Sequence, residues 1–75
     1  MPIVAVLQHR RILGDALRSY RKQARLSQEK LAEKAELNPK YLGEVERGRI
    51  NISVDALVRL ARALKIQVHD LTRGF

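Results

Sequence analysis

The fold is decided by the stretch Ser27-Gln28-Glu29-Lys30-Leu31-Ala32-Glu33-Lys34-Ala35-Glu36-Leu37-Asn38-Pro39-Lys40-Tyr41-Leu42-Gly43-Glu44-Val45-Glu46-Arg47-Gly48. It opens on Ser27, a residue type favoured at helix N-caps because its side-chain oxygen accepts from a backbone N–H of the first turn. Lys30 stands where a capping box would carry Glu or Gln, so the cap is partial. Leu31, Ala32 and Ala35 form a short apolar face, which predicts a helix over Gln28 to Ala35. Asn38-Pro39 is a second start. Asn caps well, and Pro at the first helical position loses only an N–H that would have no helical partner anyway. Leu42 and Val45 point inward three residues apart, and Gly48 supplies a stop. The second helix is expected over Pro39 to Arg47.

Only Glu36 and Leu37 join these two helices. So tight a connection makes them cross at a large angle, the geometry of a helix-turn-helix. In that geometry the second helix enters the DNA major groove while the first crosses the backbone. A plain corner of two helices with no ligand has the same spacing, and spacing alone leaves it open.

Working outward, Leu13, Ala16, Leu17, Tyr20 and Ala24 share one face of a helix predicted over His9 to Ala24. Residues 1–8 read as an N-terminal arm or lead-in to that helix. Beyond Gly48, Arg49 to Ile52 read as a loop. Ser53 caps a helix over Ser53 to Lys65, whose inner stripe is Leu57, Leu60, Ala61 and Leu64. A last short helix, Val68 to Arg73, carries Leu71. No run alternates at period two for long enough to make a sheet. The expected fold is all-α, a compact bundle of four to five short helices forming a single domain over residues 1–75.

Composition narrows the function. The chain has 75 residues, with 15 Lys plus Arg against 8 Asp plus Glu, a formal charge of +7. That length makes one small domain. With no Cys, a disulfide scaffold or a thiolate zinc site is excluded, and two His, His9 and His69, leave little for a metal. No metal and no cofactor are expected, and no small-molecule ligand is evident. Neither a Ser/His/Asp set nor a carboxylate pair converges on a pocket, so an enzyme is not expected. The longest uncharged run near the start, Met1 to Leu7, falls far short of the ~20 residues of a bilayer helix. No membrane is expected as a partner, and a cytoplasmic location is the default. The basic excess points to an anionic partner, and taken with the helix-turn-helix spacing it favours double-stranded DNA.

The string Ser27 to Ala35, followed by Leu37-Asn38, Tyr41-Leu42 and Val45-Glu46-Arg47-Gly48, resembles the Cro/CI-type (XRE) helix-turn-helix family, whose domain is lambda-repressor-like. The resemblance covers residues 12–71. It is closest in Tyr41 to Ser53 to controller proteins of restriction–modification systems, with phage-type repressors and small antitoxins as rivals. It implies a helix-turn-helix over residues 28–47 and a bacterial or phage origin. It also implies a sequence-specific transcriptional regulator that binds a pseudo-palindromic operator. An antitoxin that neutralises a partner protein and uses DNA only for autoregulation is the alternative.

The same resemblance implies roles for individual residues. Ser27 and Gln28, at the start of the first helix of the pair, would bind phosphate. Asn38, Pro39, Lys40 and Glu44 would face the bases. Lys40 suits guanine O6/N7 or a phosphate, Pro39 a thymine methyl, and Glu44 cytosine N4, unless Glu44 pairs with Lys40 one turn back. Gly43 would let the helix approach the duplex closely. Tyr41 offers a hydroxyl to phosphate or a ring to the core, and Arg47, Arg49 and Asn51 would clamp phosphates. Arg21 and Glu46 would form a partly buried structural ion pair. The family often has Gly where this chain has Arg25 and Glu36, which predicts strain if those positions keep φ > 0. One helix reads only a few base pairs, so a homodimer is expected. Its interface is expected at the apolar C-terminal end, residues 66–75 with the end of the preceding helix: Val58, Ile66, Val68, Leu71 and Phe75.

Overall fold

The computed structural model describes the backbone of residues 3–75, and their side chains from Leu7 onward. Five helices follow one another: α1 (Ile3–Gln23), α2 (Gln28–Lys34), α3 (Pro39–Glu46), α4 (Val54–Leu64) and α5 (Val68–Thr72). No strand occurs among the described residues. The three caps read from sequence form as expected. Ser27 Oγ accepts from the Lys30 N–H at 3.0 Å, Asn38 Oδ1 from the Lys40 N–H at 2.8 Å, and Ser53 Oγ from the Ala56 N–H at 3.0 Å.

The start of α1 differs from expectation. The helix begins at Ile3, well before His9, so the stretch read as an arm is helical from Ile3 on. Met1 and Pro2 of that arm lie outside the described residues. The physical reason is continuity. No Gly or Pro stands between Ile3 and Leu13, and apolar residues without a breaker extend a helix that is already nucleated.

Four helices end alike. Each closes with paired hydrogen bonds around one left-handed residue: Arg25 (φ 59°), Glu36 (φ 56°), Gly48 (φ 72°) and Lys65 (φ 58°). At the first, the Leu26 N–H reaches the Arg21 carbonyl at 3.1 Å and the Arg25 N–H reaches Lys22 at 3.0 Å. This is the Schellman arrangement, which usually places Gly at the left-handed position. Here only Gly48 is Gly. The strain foreseen at Arg25 and Glu36 is therefore present, and Lys65 adds a third instance. The residue after each strained position is apolar: Leu26, Leu37 and Ile66 all pack against the core. That contact holds the turn in a conformation its own side chain disfavours.

The core is built from Leu13 and Leu17 of α1, Leu31 and Ala32 of α2 with Ala35 beyond it, Leu42 and Val45 of α3, Leu60, Ala61 and Leu64 of α4, and Leu71 of α5. Helix α1 packs on α3 and α5, α2 on α3 and α4, and α4 on α5. Gly14 sets the α1–α3 spacing. A Cβ there would lie 2.5 Å from the Glu46 carbonyl oxygen and 2.7 Å from that of Val45. Both contacts are backbone, so no side chain can yield.

Two results follow for stability. Arg25→Gly, Glu36→Gly and Lys65→Gly should each stabilise the fold by about 0.5–1 kcal/mol, the left-handed penalty less the entropy of Gly. Gly14→Ala should destabilise it by about 1–3 kcal/mol through overpacking. Urea unfolding of the four variants checks both signs.

Candidate nucleic-acid interface

The turn Ala35 to Asn38, with Glu36 left-handed, delivers α3 across α2. The inner side of α3 is buried: Leu42, Gly43, Val45 and Glu46. The outer side presents Asn38, Pro39 and Lys40, all exposed, with Glu44 half-buried and Arg47 exposed further along. The base-facing set expected from sequence thus shares one accessible surface. Asn38 uses its side-chain oxygen as the cap of α3 and retains its amide N–H groups to donate. Ser27 likewise uses its oxygen as the cap of α2 and retains an O–H to donate.

Behind that surface lies the Glu46 carboxylate, whose side chain has no solvent exposure. Arg21 binds it through two parallel contacts, Nε to Oε2 at 2.7 Å and Nη2 to Oε1 at 3.1 Å. The structural ion pair implied by the resemblance is present, with Arg21 itself only 12% exposed. Arg21 Nη1 also donates to the Leu26 carbonyl at 2.9 Å, fixing the turn between α1 and α2. Arg18, one turn earlier on α1, donates to the Glu46 backbone carbonyl at 3.2 Å. Sequence reasoning missed Arg18; its spacing three residues before Arg21 was the available signal.

Gln28 differs from expectation. Its Nε2 donates to Glu46 Oε1 at 3.0 Å. The side chain is therefore strapped back over α3, and one of its two amide N–H groups is engaged. Gly43 is the place it crosses: a Cβ there would meet Gln28 Oε1 at 3.5 Å and Arg47 Nη1 at 3.3 Å. Gly43 is buried beneath these side chains and is not an open approach to a duplex, a correction to its expected role. Tyr41 is half-buried with its ring against the core, the second of its two expected uses.

Glu44 also departs from the expected pairing. It lies 3.6 Å from Arg49 Nη1 and 3.9 Å from Arg47 Nη1, and does not pair with Lys40. The Lys-before-Glu order four apart is the weaker orientation on a helix, whereas Arg47 follows Glu44 by one turn. Asn51 is held through its side-chain oxygen by the Arg10 guanidinium. Arg10 was another omission, since forty-one positions separate the pair.

The C-terminal apolar set is divided by burial. Leu71 is 1% exposed and belongs to the core, so it is withdrawn from any interface. Ile66 and Val68 are half-buried against the core, Ile66 as the apolar residue of a helix-ending turn. Val58 is half-buried, and Phe75 stays 58% exposed, edge-on to His9 at 5.7 Å between ring centroids. Val54, one turn before Val58 on α4, is 74% exposed and was not singled out by sequence. Among the described residues no group of three His, Asp or Glu is placed to hold a metal, and no helix is long and apolar enough to cross a membrane.

The sequence pattern of the helix-turn-helix domain matches residues 12–73, and the chain belongs to that family. It is a DNA-binding regulator by class, and the family is not one of enzymes. The control protein C.SmaI of Serratia marcescens is 40% identical over 68 residues, 91% of this chain and 81% of that protein. The immunity repressor protein of Bacillus phage phi105 is 45% identical over 56 residues, 75% of this chain but 39% of the repressor. Among solved structures, the restriction–modification controller protein C.AhdI from Aeromonas hydrophila superposes with a TM-score of 0.81 at 40% identity, covering 83% of this chain and 94% of that one. The resemblance to controller proteins read from Tyr41 to Ser53 agrees with these relatives.

The Glu46 network makes a stability prediction. Glu46→Ala should cost about 3–5 kcal/mol, because it leaves Arg21 charged and nearly buried without its partner. The double variant Arg21→Glu with Glu46→Arg should recover part of that loss. Recovery of nothing, measured by denaturant unfolding, would show that the pair does not act through its mutual attraction.

Proposed function

We propose that the chain is a sequence-specific transcriptional regulator of the controller type, which binds a pseudo-palindromic operator as a homodimer. The observation that carries this is the exposed row Asn38, Pro39 and Lys40 at the N-terminal end of a helix locked from behind at Glu46. Such a helix enters the major groove without rearrangement, with its N-terminal residues at the base edges. Lys40 reads guanine or takes a phosphate, and Pro39 offers an apolar contact. Gln28 contributes its remaining amide N–H to a phosphate, beside Ser27 and the backbone N–H groups of the first turn of α2.

Arg47 and Arg49 serve as phosphate clamps that must first leave Glu44. In the free protein that carboxylate neutralises part of their charge. Random DNA then competes with Glu44 for the two arginines, while a cognate site gives Glu44 a cytosine amine to accept from. Glu44 thereby acts mainly against non-specific binding.

The second half-site is read by a second copy. Val54 replaces Leu71 in the proposed interface, one turn before Val58 on α4, with Val58, Val68 and Phe75 retained. A two-fold dimer would set its recognition helices ~34 Å apart, one turn of DNA. Val54→Glu should shift sedimentation toward monomer; a wild-type chain already monomeric at tens of micromolar, with and without operator, would remove the dimer.

Selection of binding sites from random DNA, followed by titration at several salt concentrations, tests the whole reading. Affinity should fall with salt, with a slope of about −0.9 per neutralised phosphate in the log–log plot. Lys40→Ala should change base preference at one position, at a cost of about 1–3 kcal/mol. Glu44→Gln should raise affinity for random DNA more than for the selected site. Equal affinity of the wild type for every duplex would reject sequence-specific regulation.

A further inference from the structure

A cavity of about 180 Å³ lies between α1, the loop after α3 and Phe75. Its walls are apolar: Leu13 from α1, Val45 from α3, Ile50 and Ile52 from the loop, and Leu57 from α4. The exposed Phe75 ring stands at one side, steadied only by its edge contact with His9 among aromatic neighbours.

The polar part of the lining is Arg10 with His9 and Asn51, and among the described residues no Asp or Glu lines the cavity with them. The Nη2 of Arg10 is held by the neutral side-chain oxygen of Asn51. Its Nε is buried and has no hydrogen-bond acceptor among the described residues. A buried donor on a charged group with no acceptor is unfavourable and unusual in native proteins. A carboxylate that enters the cavity meets the guanidinium at its terminal nitrogens, where a charge-assisted hydrogen bond replaces the one to the neutral Asn51 oxygen.

We propose that this cavity is a binding site for a small apolar monocarboxylate, of the size of benzoate or hexanoate. The volume suits the ligand: a void of roughly 150 Å³ lined by Leu, Ile and Phe accepts a benzene ring. The apolar body rests on Leu13, Val45 and Leu57, and the carboxylate faces Arg10. A bare inorganic anion satisfies the guanidinium but leaves the apolar walls uncovered, so it is the poorer match. The ligand touches the loop that follows the recognition helix and competes with Asn51 for Arg10. The site does not depend on the DNA-binding reading, although Phe75 at its side also belongs to the proposed dimer surface, and its test uses the free protein.

The test is a ¹⁵N–¹H NMR titration of the full chain with benzoate and with hexanoate at fixed pH and ionic strength. Parallel titrations use the neutral analogues benzamide and hexanol, and inorganic phosphate. Saturable shifts at the Leu13, Val45, Ile50 and Leu57 amides are expected with both carboxylates. The neutral analogues should bind about tenfold more weakly, for want of the charge-assisted pair. Phosphate should leave these amides unmoved. Arg10→Met, which keeps the stem and removes the charge, should abolish the preference for carboxylate. The proposal is overturned by an absence of saturable shifts, by equal binding of benzamide, or by phosphate moving the same amides. It is also overturned if the shifts follow protein concentration rather than ligand, since a second copy would then cover the cavity. The wild-type comparisons decide the matter even if Arg10→Met fails to fold.

Discussion

Everything on the recognition side of this domain depends on one carboxylate out of reach of water. Glu46 lies at the last residue of α3 and accepts from Arg21 of α1 and Gln28 of α2. Three helices therefore meet at a single charge. A buried ion pair is weak grounds for net stability, because desolvation offsets much of its attraction. Its effect here is on register. Any other rotation or translation of α3 leaves the carboxylate, or Arg21, buried without a partner. The base of the recognition helix is fixed in this way, and its opposite end, with Asn38 to Lys40, is left standing clear.

The formal charge of +7 is consequently misleading as a measure of the surface offered to DNA. Arg21 is turned into the fold, and Arg18 donates to the Glu46 backbone carbonyl with its Nε 3.9 Å from the same carboxylate. Arg10 is tied to Asn51, and Arg47 and Arg49 flank Glu44. Lys40 alone stands on the outer side of α3 without a carboxylate beside it among the described contacts. Apart from Lys40, the basic residues flanking α3 are thus already engaged within the protein. On the proposed function their release is part of binding, and such a surface would discriminate by exchange of partners rather than by bulk attraction.

Local chemistry explains which features were legible in the sequence. The ends of α2, α3 and α4 were readable because Ser27, Asn38-Pro39, Ser53 and Gly48 act on the backbone next to them. The start of α1 was not, because no Ser, Thr, Asp or Asn stands before Ile3 to cap it. Strain at Arg25 and Glu36 was anticipated from a pattern that usually carries Gly, and Lys65 was missed for want of such a pattern. The Arg21–Glu46 pair was accessible only through resemblance. The turning of Gln28 toward Glu46, the place of Arg18 and the role of Gly14 depend on how α1 lies against α3, which no window of sequence records. Leu71 illustrates the same limit. An apolar residue near a chain end reads equally as interface or core, and only the packing of α5 on α1 and α4 decides it.

The three strained helix ends are not equivalent electrostatically. A helix carries a partial negative charge at its C-terminus, so a cation there is favourable and an anion is not. Arg25 and Lys65 place a positive side chain just past α1 and α4. Glu36 places a negative one just past α2, only partly offset by Lys34 in the last turn. The junction from which the recognition helix hangs thus combines a disfavoured backbone with the wrong sign of charge. Of the three non-glycine junctions it is the one least supported by its own residues, and its geometry is maintained by Leu37 in the core and by the grip on Glu46 at the far end of α3. Helix α3 is anchored distally, and its near attachment is the weaker of the two.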